Sequence, residues 1–179
     1  MDNGASSYRR FLEGDEKGLN EIVEMYGNNL LFFINGYVKN VSLAEDIMED
    51  TFMELIVHKH HFKEESSFKT YLFKIGRNKA LNALKKNKVF ISLDTEVEDT
   101  IKLEDLMIKN DKNRQVKHAI EKINPLYGQV IHLLYFEEMT YEEIGKVIKK
   151  SNKQIKNLAY RARISLKEVL EKEGFLYEE

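Results

Sequence analysis

Thr140–Lys167 reads TYEEIGKVIKKSNKQIKNLAYRARISLK, and its punctuation decides how the chain is built. Thr140 with Glu143 makes a capping box, so a short helix is expected from Tyr141, with Ile144, Val147 and Ile148 on its apolar side. After Lys149-Lys150, Ser151 or Asn152 can cap a second helix. There Ile155, Leu158, Ala159, Ala162, Leu166 and Val169 recur at helical spacing, which leaves Lys153, Gln154, Lys156, Asn157, Tyr160 and Arg161 facing outward. From Ile144 through Lys167 there are eight basic residues and no acidic one, in a chain whose net charge is only −2. A tight helix pair with a basic, amide-bearing second helix is the helix-turn-helix arrangement, whose second helix enters the major groove and reads base edges. The bland rival is a helical hairpin with a solvated basic face. Lys149-Lys150 occupies the turn, where glycine would cost least.

The rest of the composition agrees with a helical chain. In 179 residues there are one proline, nine glycines and no cysteine, with 42% hydrophobic and 32% charged residues. Disulfides, zinc-thiolate sites and thiol nucleophiles are therefore excluded. No apolar run is long enough for a membrane span, and MDNGASSYRR lacks the apolar core of a secretory signal, so a cytoplasmic protein is expected. The length suits two small domains.

Tyr8 to Lys39 reads as two helices separated at Gly27-Asn28-Asn29. Ser42 with Glu45 suggests another capping box, followed by a wide apolar face of Ala44, Ile47, Met48, Thr51, Phe52, Leu55 and Ile56. The opposite face is acidic, carrying Glu45, Asp46, Glu49, Asp50 and Glu54; it is either a solvated face or a partner surface. His58-Lys59-His60-His61 follows, with Glu54 one turn before His58. That spacing admits a metal-site reading, but a polar helix end is simpler, since no second ligand pair stands at a suitable spacing elsewhere.

After the polar loop FKEESS (Phe62–Ser67), a helix is expected from Phe68 to Lys88, with seven basic residues and no acid. Aromatic rings among cations suit opened or single-stranded nucleic acid, with unpaired bases stacking and the cations holding phosphates. Phe68, Leu72 and Ile75 also read as core, while Asn78 and Asn82 are better placed for bases. Val89 to Asp111 then carries seven acids against Lys102 and Lys109, and reads as an acidic linker, with a helical turn admitted at Leu103 to Ile108. Arg114 to Ile123 opens the second domain, and Asn124-Pro125 caps a helix from Leu126 to Phe136.

In this order the segments resemble the extracytoplasmic-function class of bacterial sigma factors, from about Phe11 to Leu170. LAEDIMEDTFMELI is similar to the family's clamp-binding helix, usually D-L-V-Q-E-T-F and here Asp46 to Phe52. SFKTYLFKIGRNKALNALKK resembles the melting and minus-ten helix, with Arg77-Asn78 at the family's R-N position. The span from Ala119 to Ile148, with Arg161 to Arg163, resembles the second domain. Glu49 and Asp50 replace the usual Gln-Glu, Tyr71 stands where tryptophan is common, and Lys149 holds the turn glycine's place.

The resemblance implies an all-α fold of two small helical domains, residues 1–88 and 112–179, joined by an acidic extended linker at 89–111, the second domain containing the helix-turn-helix. It implies a non-enzymatic transcription initiation factor, without cofactor or metal, whose partners are core RNA polymerase, promoter DNA and an anti-sigma protein. Asp46, Glu49 and Asp50 would dock on the polymerase. Phe62, Lys63, Ser66, Ser67, Phe68, Tyr71, Arg77, Asn78 and Asn82 would serve the minus-ten element. Lys150, Lys153, Gln154, Lys156, Asn157, Tyr160 and Arg161 would serve the minus-thirty-five element. The rivals are a freestanding helix-turn-helix regulator and a metal-dependent hydrolase using Glu54, His58 and His61, which lacks a water-activating base in a cleft.

Overall fold

The computed structural model describes residues 4–90 and 111–174, and every regular element among them is helical. The chain divides into two compact units. The first is built on α1 (Ala5–Leu12), α2 (Lys17–Val38), α3 (Val41–Val57) and α4 (Phe68–Phe90). The second is built on α5 (Asp111–Lys122), α6 (Pro125–Ile131), a π-helical turn (His132–Phe136), α7 (Tyr141–Ile148) and α8 (Asn152–Lys172). No helix among the described residues is long and apolar enough to cross a membrane. The acidic linker lies outside the described residues except at its ends, as does the helical turn admitted at 103–108.

In the first unit the expected break at Gly27-Asn28-Asn29 does not occur: α2 runs straight through it. Glycine within a helix costs only about 1 kcal/mol. Burial of Leu30, Leu31, Phe32, Phe33 and Ile34 immediately after it outweighs that local preference. The chain turns earlier, at Gly14, whose φ of +100° suits glycine. Asp15 then accepts a hydrogen bond from the Lys17 N–H at 3.1 Å and starts α2. A second glycine fixes how close α1 and α2 lie, because a Cβ on Gly18 would stand 2.2 Å from the Ser7 carbonyl oxygen.

Helix α3 also starts differently. Asn40, not Ser42, is the cap, its side-chain oxygen accepting from the Leu43 N–H at 2.8 Å. Asn40 precedes Ser42 and caps at least as well, so the helix begins at the first competent residue.

The core of the first unit is aromatic. Tyr8 is closed to solvent, and its ring centroid lies 4.9 Å from that of Phe68 and 6.0 Å from that of Phe62. The Tyr8 hydroxyl donates to the carbonyl oxygens of Lys59 (2.8 Å) and Leu55 (3.3 Å), tying α1 to the end of α3. Burial, and then the neighbouring Tyr71, push the Tyr8 phenol up to about 12. Phe68, Leu72 and Phe73 face this core; Ile75, expected there, is only half-buried.

In the second unit Asn124 accepts from the Leu126 N–H at 2.9 Å, with Pro125 at the first helical position as the sequence suggests. The helix expected to Phe136 remains α-helical only to Ile131 and then widens into the π turn, closed by the Glu137 N–H on the His132 carbonyl at 3.2 Å. His132 and Glu137 are buried there, 3.6 Å apart. Lys117 is buried too, and desolvation lowers its pKa while Glu137 opposes the shift.

Candidate functional site

The helix-turn-helix is held by two complete capping boxes. At α7 the Thr140 hydroxyl accepts from the Glu143 N–H (3.2 Å) while the Glu143 carboxylate accepts from the Thr140 N–H (2.9 Å). At α8 the Ser151 hydroxyl accepts from the Gln154 N–H (3.2 Å) and Gln154 Oε1 accepts from the Ser151 N–H (2.9 Å). Gln154 is thus a structural residue first, with its oxygen committed to the cap.

Between the helices Lys149 takes the left-handed conformation, φ 61° and ψ 52°, with its N–H on the Gly145 carbonyl. The glycine this turn needs is Gly145, one turn upstream. A Cβ there would stand 2.6 Å from the Lys150 carbonyl oxygen and 3.8 Å from Ile155. The motif therefore achieves its close backbone approach at Gly145 and leaves the strained angle to a lysine.

Ile155, Ala159 and Ala162 are fully buried, with Leu158, Leu166 and Val169 half-buried behind them. That burial turns Lys153, Gln154, Lys156, Asn157, Tyr160 and Arg161 to solvent together, with Tyr160 66% exposed; Lys150 is half-buried in the turn. Arg163, the other arginine of the R-A-R segment, faces elsewhere. Its guanidinium donates to the hydroxyls of Tyr135 (2.6 Å) and Tyr141 (3.2 Å), which raise its pKa. It straps α8 to the π turn and to α7.

In the first unit, Glu45, Asp46, Glu49 and Asp50 are all exposed on α3, and no ion pair among the described residues uses them. The same stripe continues at i+3, i+4 and i+7 into Met53 (51% exposed) and Val57 (65%), which sequence reasoning passed over. Their apolar character at that spacing was the available signal, hidden because this helix is apolar on more than one side.

The residues assigned to opened DNA sort into three groups. Lys63 and Asn82 are exposed, and Ser66, Asn78 and Tyr71 are partly so. Phe62 lies over the core with its ring 5.2 Å from Tyr71 and 5.5 Å from Phe68, and burial raises the Tyr71 pKa. Three residues are occupied with structure. Ser67 caps α4, its hydroxyl accepting from the Thr70 N–H at 3.2 Å. Phe68 is 0% exposed, so it supports the loop from beneath and cannot present a face to DNA. Arg77 is half-buried against Tyr37, whose pKa burial raises and the guanidinium partly restores.

Comparison with known proteins gives this geometry a family. Residues 22–89 match the model for sigma-70 region 2, and residues 113–166 match that for sigma-70 region 4. The chain is 25% identical over 153 residues to the ECF RNA polymerase sigma factor SigM of Bacillus subtilis, covering 83% of this chain and 93% of that one. It is 26% identical over 171 residues to SigW of the same organism, covering 88% and 91%. Among solved structures, the sigma factor RpoE of Bartonella quintana, crystallised with the anti-sigma factor NepR, matches with a TM-score of 0.68 at 20% identity, over 87% of this chain and 98% of that one. CnrH, in complex with the cytosolic domain of CnrY, matches with a TM-score of 0.62 at 19% identity, over 95% and 96%. With both regions present in order, and the capped helix-turn-helix inside the second, the chain belongs to the extracytoplasmic-function sigma factors of the sigma-70 family.

Proposed function

We propose that this protein binds core RNA polymerase and directs it to promoters, acting in the cytoplasm and leaving catalysis to the polymerase. The observation that carries the reading is the solvent-facing set Lys153, Lys156, Asn157, Tyr160 and Arg161 on a helix locked by a capping box within the region 4 match. Residues 1–88 act as the unit that docks and opens DNA, 89–111 as the tether, and 112–179 as the reader of the minus-thirty-five element. Asn157 and Arg161 suit base edges, Arg161 as a bidentate partner of guanine and Asn157 of adenine, while Lys150 and Lys153 near the helix start suit phosphates.

Docking falls to Asp46, Glu49 and Asp50, with Met53 and Val57 extending the same stripe. Carboxylates set the orientation and rate of encounter with a basic partner surface, and the apolar pair adds area removed from water. Opened DNA is met by Lys63, Ser66, Tyr71, Asn78 and Asn82. The Phe62 to Phe68 loop serves as the cradle for a flipped base, the stacking there offsetting the few kcal/mol lost on unstacking. An anti-sigma protein is the expected negative partner. A freestanding regulator would leave the whole first unit without a task.

The test is transcription reconstituted from core polymerase and this protein on a promoter library. Specific initiation with a shared minus-ten and minus-thirty-five pattern is expected. DNA binding without core, and no initiation with it, would refute the reading.

A further inference from the structure

The C-terminal end of α3 carries a cluster that neither the DNA surfaces nor the docking residues Asp46, Glu49 and Asp50 use. Glu54 and His58 stand one turn apart, and the backbone folds His61 back towards them. The His58 N–H donates to the Glu54 carbonyl at 2.9 Å, and the His61 N–H donates to the His58 carbonyl at 3.0 Å. The two imidazoles stack, their centroids 4.7 Å apart at 21°. One donor atom from each of Glu54, His58 and His61 lies within 4.8 Å of the other two. His58 Nδ1 is closed to solvent and forms no aligned hydrogen bond, although Glu54 Oε1 is 2.9 Å away. The other carboxylate oxygen is engaged, with Lys79 Nζ 3.3 Å from Oε2.

We propose that Glu54, His58 and His61 form a three-ligand site for a borderline divalent cation, zinc foremost, with a fourth position open to solvent or to a further ligand. Two imidazoles and one carboxylate are the donor set such ions favour. Donors at about 2.1 Å from one tetrahedral ion lie about 3.4 Å apart. The Glu54–His58 pair is already inside that spacing, and rotation of the His61 ring supplies the rest. Lys79 fixes the carboxylate as a neighbour orients a metal ligand, leaving Oε1 for monodentate binding. The donor set provides the selectivity, because hard ions such as magnesium and calcium want several oxygens and meet here one carboxylate already shared with Lys79.

A bound ion clips α3 to the turn that leads into the loop at 62–67. Tyr8 already holds that turn through the Lys59 carbonyl at 2.8 Å. The ion therefore fixes both ends of a single turn at the mouth of the loop. Only this effect on the loop rests on the promoter reading; the site itself does not.

The experiment is a cobalt(II) titration of the full chain, followed in the visible ligand-field bands, with zinc as competitor and neither polymerase nor DNA present. One saturable equivalent is expected, displaced by zinc and indifferent to excess magnesium or calcium. His58→Ala and His61→Ala should each weaken binding about tenfold or more, while His60→Ala leaves it unchanged. Melting of each variant without metal checks its fold, and Glu54→Gln, which keeps the side chain's shape, serves wherever an alanine variant fails to fold. Absence of saturable uptake overturns the proposal. So does uptake that survives loss of His61, or that falls as far with His60→Ala. Because the titration uses metal alone, its failure leaves promoter recognition untouched.

Discussion

The turn of the helix-turn-helix offers a quantitative test. Lys149 sits at φ 61° with its side chain in solvent. An L-residue in that region costs about 1–2 kcal/mol, and glycine escapes that cost while losing about 0.5–1 kcal/mol in extra unfolded-chain entropy. Lys149→Gly should therefore stabilise the second unit by about 0.5–1 kcal/mol. Gly145→Ala should act oppositely. Alanine gains about 1 kcal/mol of helix propensity. Its Cβ would stand 2.6 Å from the Lys150 carbonyl oxygen, a backbone atom that moves only if the turn moves. Overpacking of that kind costs about 1–3 kcal/mol and sometimes more, so a net loss of up to about 2 kcal/mol is expected. Each 1 kcal/mol moves the melting point of a domain this size by about 4–8 °C. Calorimetry of the full chain should show only the second unit's transition moving, up for Lys149→Gly and down for Gly145→Ala. The two changes share one turn, in which the Gly145 carbonyl accepts from Lys149 and from Lys150 (3.1 Å), so the double variant should depart from additivity by at least about 0.5 kcal/mol. A destabilising Lys149→Gly together with a neutral Gly145→Ala would refute this account of the turn.

Other substitutions separate the surfaces. Asn157→Ala or Arg161→Ala should cost about 1–3 kcal/mol and relax preference at one or two base pairs, whereas Lys153→Ala should weaken all sequences alike and lower the salt slope by about one, measured by titrating holoenzyme on single-base variants. Glu49→Lys with Asp50→Lys should weaken capture by core polymerase while circular dichroism stays unchanged; equal capture would remove the docking role of that face. Tyr8→Phe should lose about 1–2 kcal/mol by leaving the Lys59 and Leu55 carbonyls without their donor, read as an earlier denaturant midpoint. Glu21 has its carboxyl held low, chiefly by the Arg10 guanidinium and then by the Ser7 hydroxyl (2.7 Å). A lowered folded pKa means stability present at neutral pH and lost as pH falls through it, so Glu21→Gln should flatten the acid limb of the stability curve.

What the sequence makes legible follows from where local chemistry decides. Thr140-Glu143 and Asn124-Pro125 carry their own caps, and the helices start where those residues say. The outward set on α8 was readable because Ile155, Ala159 and Ala162 repeat at helical spacing and must be buried. At Gly27-Asn28-Asn29 the local signal misled, because burial of Leu30 to Ile34 is a tertiary effect larger than glycine's preference. Phe68 and Phe73 against Ile75 show the same limit: all are apolar on one helix, and the placing of Tyr8 and Tyr26 decides which turn inward. The structural use of Gln154 and Arg163 was hidden for a different reason. A polar side chain on a basic helix looks the same whether it meets DNA, a cap or a tyrosine. His61 illustrates it too, since its return to Glu54 depends on a turn with no strong sequence mark.

The Tyr8 hydroxyl bears on the order in which the first unit is assembled. Its acceptors lie 47 and 51 residues downstream, and its closest ring partner is Phe68. As the chain leaves the ribosome, α1 can lie against α2 once α2 has emerged, but the latch cannot close until α3 has ended and α4 has begun. Closing that span costs loop entropy that only the finished aromatic cluster returns. Folding of this unit is therefore completed from its far end, with α1, the first of its helices in chain order, locked last.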